Sequence, residues 1–402
     1  MRMKFNKSGQ LLLVSAASLL VAGLVTACGT LTVDFVFVAS SKAAGTNSYG
    51  EIDVFEVNSE SGRMRQIPTS PFPSGGRNPV AEAVSSDNTN LYVVNHDDNS
   101  IVQFVIGSDG KLYPQNTVNT PGIFPVAVAV NGSNLFVVDT YQPLPACSNA
   151  APCSGSVAVL PIASTGKLGT AVANGSLSYW PLSLPSSPKD ILLPTGVNVL
   201  TSGSDVYAYV STYDTTANTG YVFGFAVGSG GALSPLNGGL PFLAGTNPSS
   251  VTSDGTGSYV YVTDYTQGKV WGYSVASGSG NLTQLSGSPF AAGDEPMAMV
   301  VDPAGKYAYV ANSLDSNVTA YSISSGVLSY QGNTYATGSE PVAIGLDPST
   351  KHFLYTANFL GGTVSAFELS TTDGSLLNTQ YSPFTSNAQP TAVAAIPHGS
   401  KK

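Results

Sequence analysis

Residues 296–312 read PMAMVVDPAGKYAYVAN: a proline, an apolar strand-like run, a turn, and a second strand that ends in Tyr-Val-Ala-Asn. The turn has aspartate, proline and glycine where tight-turn geometry favours them. The second strand of this unit has seven copies along the chain, at residues 37–40, 92–95, 136–139, 209–212, 261–264, 309–312 and 355–358. Repetition of one short strand at this spacing indicates a protein built from equivalent units.

The two ends of the series are incomplete in complementary ways. Six copies are preceded by a proline that opens an apolar strand, and these prolines are Pro79, Pro125, Pro188, Pro248, Pro296 and Pro341. The first copy has no such strand before it, whereas Pro390 opens a strand that has no unit after it. The last strand is therefore predicted to complete the first unit, which closes a ring. The sequence predicts an all-β fold, a seven-bladed β-propeller of four-stranded antiparallel blades sealed by the C-terminal strand.

Two units depart from the common spacing. The third unit carries an insertion over residues 141–155, and the region over residues 170–204 is longer than its counterparts. The inner strand near Ile191 is the weakest match to the pattern. Elsewhere the repeats run without a break, so residues 35–397 are predicted to form one propeller domain, followed by a tail over residues 398–402.

Residues 1–27 are predicted to be an export signal. Arg2, Lys4 and Lys7 precede an uncharged apolar run that ends in small residues. The sequence Val-Thr-Ala-Cys ending at Cys28 looks like a bacterial lipobox, in which the cysteine is diacylated and becomes the mature N-terminus. An ordinary signal peptide and a single membrane span are the alternatives, although the run is short for a span.

A lipid on Cys28 sets the expected location of the protein. Residues 28–34 form a short linker, so the propeller would be held close to the bilayer, through the lipid anchor alone. Gly29 stands after the cysteine in place of aspartate, which by the bacterial sorting rule favours the outer membrane. The expected location is outside the cytoplasm, on the periplasmic or cell-surface side.

The charge balance excludes one class of partner. The chain has a formal net charge of −9, and only 10% of its residues are charged. A negative chain of this kind is unsuited to nucleic acid or to anionic lipid surfaces. A monomer is expected.

The remaining cysteines, Cys147 and Cys153, enclose a short segment of the insertion in the third unit. Outside the cytoplasm such a pair favours a disulfide that would staple a loop. A zinc site is the alternative, but two cysteines without a nearby histidine or a further cysteine are a poor ligand set.

Polar residues that do not repeat from unit to unit are the candidates for function. The loops that enter the inner strands and those that join the second and third strands of a propeller lie on one face, around the channel mouth. A histidine beside acids can act as a general base. The candidate catalytic residues on this face are Arg77, His96, Glu295 and Glu340. The candidate ligand-binding residues there are Asp97, Asp98, Asp264, Tyr265, Asp294 and Asp315.

These candidates also have structural alternatives. An Asn or Asp ends the repeated strand in five units, which favours a turn-bracing role for Asp264. Without a partner, His96 would be an ordinary solvated loop residue. Asp294, Glu295, Asp315 and Glu340 could bind Ca²⁺ through oxygen atoms, although no calcium-loop spacing surrounds them. No phosphate-binding glycine loop and no nucleophile-elbow serine motif is present, and no cofactor or metal is expected.

The quartets at residues 261–264 and 309–312, with the Asp-Pro-x-Gly-Lys turn at residues 302–306, resemble two related families. These are the Tyr-Val-Thr-Asn repeat propellers and the seven-bladed lactonases, which include 6-phosphogluconolactonase and the muconate-lactonizing enzymes. The resemblance covers the whole mature chain, and it implies the propeller fold more strongly than any activity.

The lactonase resemblance implies catalytic motifs that can be checked position by position. The family's enzymes carry Pro-Arg-His at the start of an inner strand, and Asn-Glu after a Tyr-Val strand. The corresponding openings here are Pro248-Ser249-Ser250, Pro296-Met297-Ala298 and Pro341-Val342-Ala343. The positions of the second motif are Asn95-His96, Asp264-Tyr265, Asn312-Ser313 and Asn358-Phe359. Neither motif is matched.

Two functional hypotheses follow. The first is a binding or envelope-interaction protein whose partner is an envelope protein, a glycan or a small molecule. The second is a divergent lactonase whose site lies at the channel mouth. A phosphorylated sugar lactone requires a cationic pocket, whereas the predicted mouth is acidic with one arginine, Arg77, so the first hypothesis is favoured.

Overall fold

Seven antiparallel β-sheets follow one another around a ring in the computed structural model, which describes residues 33–143, 153–347, 353–387 and 389–397. Blade 1 contains β1 (Val33–Ala44), β2 (Tyr49–Asn58), β3 (Met64–Gln66) and β4 (Phe72–Pro73). Blade 2 contains β5 (Pro79–Val84), β6 (Asn90–Asn95), β7 (Ser100–Ile106) and β8 (Leu112–Asn119). Blade 3 contains β9 (Ile123–Asn131), β10 (Asn134–Tyr141), β11 (Ser156–Pro161) and β12 (Trp180–Pro181).

The remaining blades repeat this order from the channel outward. Blade 4 contains β13 (Leu192–Ser202), β14 (Asp205–Asp214), β15 (Thr219–Val227), β16 (Leu233–Pro235) and β17 (Phe242–Leu243). Blade 5 contains β18 (Pro248–Ser253), β19 (Tyr259–Asp264), β20 (Lys269–Val275), β21 (Leu282–Gln284) and β22 (Phe290–Ala291). Blade 6 contains β23 (Pro296–Val301), β24 (Tyr307–Asn312), β25 (Asn317–Ser324) and β26 (Val327–Ala336). Blade 7 contains β27 (Pro341–Leu346), β28 (Phe353–Asn358), β29 (Thr363–Leu369), β30 (Leu376–Asn378) and β31 (Phe384–Thr385).

The last strand, β32 (Pro390–Ile396), lies in blade 1 and not in a blade of its own. It pairs antiparallel with β1, with Phe35 opposite Ile396 and Ser40 opposite Pro390. The predicted seven-bladed ring and its closure by the C-terminal strand are therefore confirmed. The two helices among the described residues are single 3₁₀ turns, Ser229–Gly231 and Asn237–Gly239. Within the same residues, no helix has the length and apolar character needed to cross a bilayer.

Strand register identifies the proline that opens each blade. In the regular blades this proline lies opposite the last residue of the repeated quartet, as Pro296 lies opposite Asn312. In blade 4 the proline in that position is Pro194, opposite Thr212. The assignment of Pro188 from the sequence was wrong, because Pro188 lies before β13, directly after the turn closed by the Leu184–Ser187 bridge. The backbone pairing shows that Pro194 and not Pro188 opens the inner strand of blade 4, and the sequence pattern alone does not distinguish them.

In four blades the tyrosine of the repeated quartet links the blade to the next one. The Tyr92, Tyr209, Tyr261 and Tyr309 side chains are fully buried. Their hydroxyls donate to the carbonyl oxygens of Gly166, Gly280, Gly326 and Gly374, at distances of 2.8, 2.6, 2.9 and 2.8 Å. Each acceptor glycine lies in the following blade, in the turn after its third strand. The repeated tyrosine therefore has two roles: it is part of a strand in its own blade, and its hydroxyl bonds to the next blade. A buried hydroxyl requires such a hydrogen-bond partner.

A glycine three residues before the inner-strand proline forms the floor of the mouth loop in five blades. These glycines are Gly76, Gly122, Gly245, Gly293 and Gly338. Each packs directly on the Asn or Asp that ends the repeated quartet. The Gly293 N–H, for example, donates to Asn312 Oδ1 at 3.1 Å. The approach is so close that a Cβ atom at Gly293 would lie 2.6 Å from Asn312 Cγ and 2.5 Å from Asp315 Oδ2.

We expect Gly293→Ala to lower the free energy of unfolding by about 1–3 kcal/mol, because the added methyl group displaces a packed neighbour. Chemical denaturation of the two proteins measures this difference. Gly169→Ala is the matched control, because Gly169 also has an ordinary backbone conformation and its nearest neighbour would be 3.5 Å from the new Cβ. Equal losses in both variants would contradict the packing account.

Candidate functional site

The mouth of the channel is shaped by residues in the left-handed backbone region. The residue before the inner-strand proline has positive φ in five blades: Asn78 (53°), Phe124 (58°), Glu295 (54°), Glu340 (59°) and Gln389 (65°). In four of them its carbonyl accepts the N–H of the residue after the repeated quartet, as Glu340 accepts from Phe359 at 2.8 Å. The two sets of loops that were predicted to share a face are thus hydrogen-bonded to each other.

One polar cluster lies on the mouth loops of blade 2 and centres on Arg77. The Arg77 Nε donates to Asp98 Oδ1 at 2.7 Å, and the Arg77 backbone N–H donates to Asp98 Oδ2 at 2.8 Å. The guanidinium also donates to the carbonyl oxygen of Asp97 at 3.2 Å. The bond to Asp98 raises the pKa of Arg77. This arginine is committed to contacts within its own loop pair.

His96 belongs to the same cluster. Its Nδ1 lies 2.7 Å from Asp97 Oδ1, and its ring stacks on Phe124 with centroids 4.8 Å apart and planes 10° apart. Burial acts to raise the pKa of Asp97, but the bonds from His96 and Asn78 outweigh it and hold that pKa below its ordinary value. A carboxylate on Nδ1 orients an imidazole so that Nε2 can exchange a proton. The pair has the geometry of a base and its orienting acid.

A second cluster brings three predicted residues together across blades 5 to 7. A hydrogen bond with Glu295 raises the pKa of Tyr265, with burial and the charges of Glu295 and Glu340 adding to it. Beside them, the Asp294 N–H donates to Asp315 Oδ2 at 2.9 Å, which closes one mouth loop of blade 6 onto the other. These acids therefore lie on other blades than His96 and Arg77, which share blade 2 with Asp97 and Asp98.

Asp264 is fully buried under its loop. Its carboxylate accepts the backbone N–H groups of Thr246 at 2.7 Å and of Asn247, Thr266 and Gln267 at 3.2 Å. Four backbone donors on one buried carboxylate form a turn brace. This is the structural alternative that the sequence analysis offered for Asp264.

The axis of the ring holds a cavity of about 490 Å³, within the size range of small-molecule sites. Its walls come from the inner strands of all seven blades. The polar lining residues are Glu82, Thr195, Ser249, Ser250, Glu340 and Thr391. The apolar lining residues are Val80, Ala81, Val126, Met297, Ala298, Val342, Ala343, Ile344, Phe359, Ala392 and Val393. Of the predicted catalytic residues, Glu340 lines this cavity, whereas Arg77, His96 and Glu295 do not.

Glu82 is a cavity residue that the sequence analysis missed. It lies on β5, and both of its carboxylate oxygens are buried. Burial raises the pKa of Glu82 to about 8, and the backbone N–H of Ala394 opposes this only in part. A signal was present in the sequence: the residue three positions after the inner-strand proline is apolar in the other six blades, as Val128, Val197, Val251, Met299, Ile344 and Val393.

The remaining predictions concern metal binding and covalent modification. Among the residues that the structure describes, no group of three or more His, Cys, Asp or Glu side chains is placed to hold a metal ion. Cys28 lies outside the described residues, and so does Cys147. Lipidation of Cys28 and a disulfide between Cys147 and Cys153 accordingly stay predictions.

Comparison with known proteins adds a family to this geometry. The family model "Lactonase, 7-bladed beta-propeller" matches residues 46–143 and 270–398, more than half of the chain. The matched parts include blade 2, with Arg77 and His96, and blades 6 and 7, with Glu340. No curated protein matches the sequence.

Solved structures with the same architecture include a periplasmic gluconolactonase from Pseudomonas aeruginosa. It is 20% identical, with a TM-score of 0.67 over 90% of this chain and 99% of that one. A protein from Bacteroides fragilis, described as a candidate 6-phosphogluconolactonase, is 19% identical, with a TM-score of 0.66 over 91% and 99% of the two chains. A protein from Lactobacillus plantarum is 16% identical, with a TM-score of 0.65 over 90% and 99%. At these identities the likeness concerns the fold.

Proposed function

The chain belongs to the lactonase family of seven-bladed β-propellers, and within that family we propose that it acts as a binding protein that takes a small molecule into its axial cavity. The observation that carries this proposal is the separation of the cavity from Arg77 and His96, the candidate base and its neighbouring cation. The cavity is lined by apolar and hydroxyl side chains with two glutamates, while Arg77 and His96 lie outside its walls.

The same lining argues against a phosphorylated sugar lactone as the ligand. Among the described residues, no lysine, arginine or histidine lines the cavity, and the two ionisable residues that do are acids. A phosphate group there would lack a cationic partner and would meet carboxylates inside a chain of net charge −9. An uncharged or positively charged molecule suits these walls better.

The proposal keeps the location expected from the N-terminal sequence. A lipid on Cys28 would hold the propeller at the membrane surface outside the cytoplasm, with the outer membrane favoured. A binding protein there would meet envelope proteins, glycans or small molecules that pass through the envelope. Labelling with radioactive palmitate, compared between the native chain and Cys28→Ala, tests the anchor directly.

A divergent lactonase is the second candidate, and one observation favours it. His96 and Asp97 form an oriented pair at 2.7 Å, and Arg77 is bonded to the same loop. In that role His96 would remove a proton from a water molecule that attacks the lactone carbonyl, and Arg77 would stabilise the negative charge that develops on oxygen. Glu340 and Glu295 lie on other blades and would act, if at all, on the leaving group.

One experiment separates the two functions. The hydrolysis of a lactone panel that includes gluconolactone and 6-phosphogluconolactone is followed for the native chain, His96→Ala and Arg77→Ala. We expect no turnover above the spontaneous rate in any of them. Arg65→Ala is the matched control, because Arg65 is an exposed arginine that also pairs with a carboxylate, Glu56, away from the mouth. Turnover that both mouth variants abolish and Arg65→Ala preserves would overturn the binding proposal and establish the lactonase.

A further inference from the structure

We propose that the ligand of the axial cavity is a small organic cation, held by Glu82 and Glu340 and surrounded by the apolar side chains of the inner strands. This inference rests on the proposed function and names the chemical class of its ligand. It starts from Glu82, a residue that neither the fold nor the mouth clusters account for.

The fold does not require an acid at this position. The equivalent residue is apolar in the other six blades, and those blades form the same inner strand with the same bulge after the proline. Glu82 thus stands where an apolar side chain would pack well. Its carboxylate must instead be removed from water. Such a substitution costs stability unless a partner compensates it.

No charged partner is present in the described part of the chain. Both carboxylate oxygens of Glu82 are buried. The groups that act on its charge are the surrounding walls and the backbone N–H of Ala394 on β32, which donates a hydrogen bond to the carboxylate, and no charged side chain is among them. A buried carboxylate without a counter-charge in the protein is the arrangement that a cationic ligand would complete.

The rest of the cavity fits a cation with an apolar body. Glu340 is the other ionisable residue among the described residues of the lining, so both charges that a ligand would meet from them are negative. Val80, Val342 and Ile344 supply aliphatic surface, and Phe359 supplies an aromatic ring, a group that attracts alkylammonium ions. At the rim, Leu314 and Leu360 are 64% and 73% exposed on the mouth loops of blades 6 and 7, which extends the apolar surface outward.

The test uses choline, because a quaternary ammonium group keeps its charge at every pH. Binding to the full chain, purified in detergent, is measured by titration calorimetry at about pH 6 and about pH 9, on either side of the Glu82 pKa. The uncharged carbon isostere of choline, with a tert-butyl group in place of trimethylammonium, is titrated in parallel. We expect choline to bind at least tenfold more tightly at the higher pH, because binding then no longer requires loss of a proton from Glu82, and we expect the isostere to bind weakly at both.

Two variants assign the effect to its residues. Glu82→Gln should weaken choline binding at least tenfold at the higher pH and remove the pH dependence, and Glu340→Gln should weaken binding while leaving the pH dependence in place. Glu368→Gln, on β29 and outside the cavity, is the matched control and should bind as the native chain does. Melting curves of all variants show whether each is folded.

The outcomes separate this inference from the proposed function. If the isostere binds as tightly as choline, or if folded Glu82→Gln binds choline undiminished, the cation inference is overturned. If gluconolactone binds without turnover while choline does not, the binding function stands and the ligand class is wrong. If none of these molecules binds the folded native chain, the inference and the proposed function fall together.

Discussion

A chain that ends at Gln389 should not reach a folded monomer. Removal of β32 leaves β1 without its inner partner at six paired positions. It also takes Ile396, which is buried, and Val393, which is partly buried, from the clusters on the two faces of blade 1, where full burial of such a side chain stabilises by roughly 1.5–3 kcal/mol. The bond from Thr391 Oγ1 to the carbonyl oxygen of Pro79, 2.7 Å long, ties β32 to blade 2 and would be lost as well.

These losses together reach the whole stability of a typical domain, about 5–15 kcal/mol. They also expose a long strand edge of the kind that pairs with other chains. We expect the truncated chain to be aggregated and to lack a cooperative thermal transition, measured by circular dichroism and light scattering. A chain ending at Pro397 retains β32 and is the matched control. A cooperative transition in the chain ending at Gln389, at the native temperature, would show that ring closure does not hold the fold together.

Glu82→Val should stabilise the protein, and by more at high pH than at low pH. The pKa of Glu82 rises from the ordinary value of 4.5 to about 8 in the folded chain. An acid with a raised folded pKa holds its proton in the folded state after the unfolded state has lost it. Stability therefore falls as pH rises from 4.5 to about 8, by up to roughly 5 kcal/mol. Valine removes this loss and restores the residue type of the other blades.

Urea denaturation of the native chain and of Glu82→Val at about pH 5 and about pH 9 measures the effect. The gain in the free energy of unfolding at one pH minus the gain at the other isolates the ionisation of Glu82. Asp139, whose pKa burial raises to about 7, titrates in both proteins and cancels in the comparison. In Glu82→Gln, as in Glu82→Val, this contribution to the pH dependence of the free energy of unfolding should be absent. Glu82→Gln should lack the added stability that an apolar side chain gives. A Glu82→Val gain of the same size at both pH values would mean that Glu82 is not buried as a titrating group. A stabilising substitution that abolishes ligand binding is the expected signature of a residue kept for function.

The architecture could be predicted from the sequence because its signal is repeated. A proline, a turn and a Tyr-Val strand recur in each blade, so a weak copy is supported by its neighbours. The signal failed in blade 4, where an insertion carries its own proline, and Pro188 was chosen in place of Pro194. The choice between them depends on which backbone groups pair with β14, and that is a long-range property of the folded chain.

The candidate site was harder to predict, for a related reason. Charged loop residues such as His96 and Arg77 are conspicuous in a sequence, and the structure does bring these two together on blade 2. Their distance from the axial cavity depends on how far the loops reach over the channel. The spacing of residues along the sequence does not encode that reach. Glu82 carried the opposite kind of signal, a break in a repeated apolar position. The predicted catalytic residues all lie in loops, whereas Glu82 lies on an inner strand that forms the cavity wall.

The bonds from Tyr92, Tyr209, Tyr261 and Tyr309 to the glycine carbonyls of the following blades have a meaning for descent as well as for stability. Blades 5 and 6 each contain one such donor for the following blade and one acceptor for the preceding blade. Tandem duplication of either blade would leave each of these donors facing an acceptor. A gene encoding this protein could thus gain a copy of blade 5 or blade 6 by unequal recombination without a new bond of this kind having to arise first.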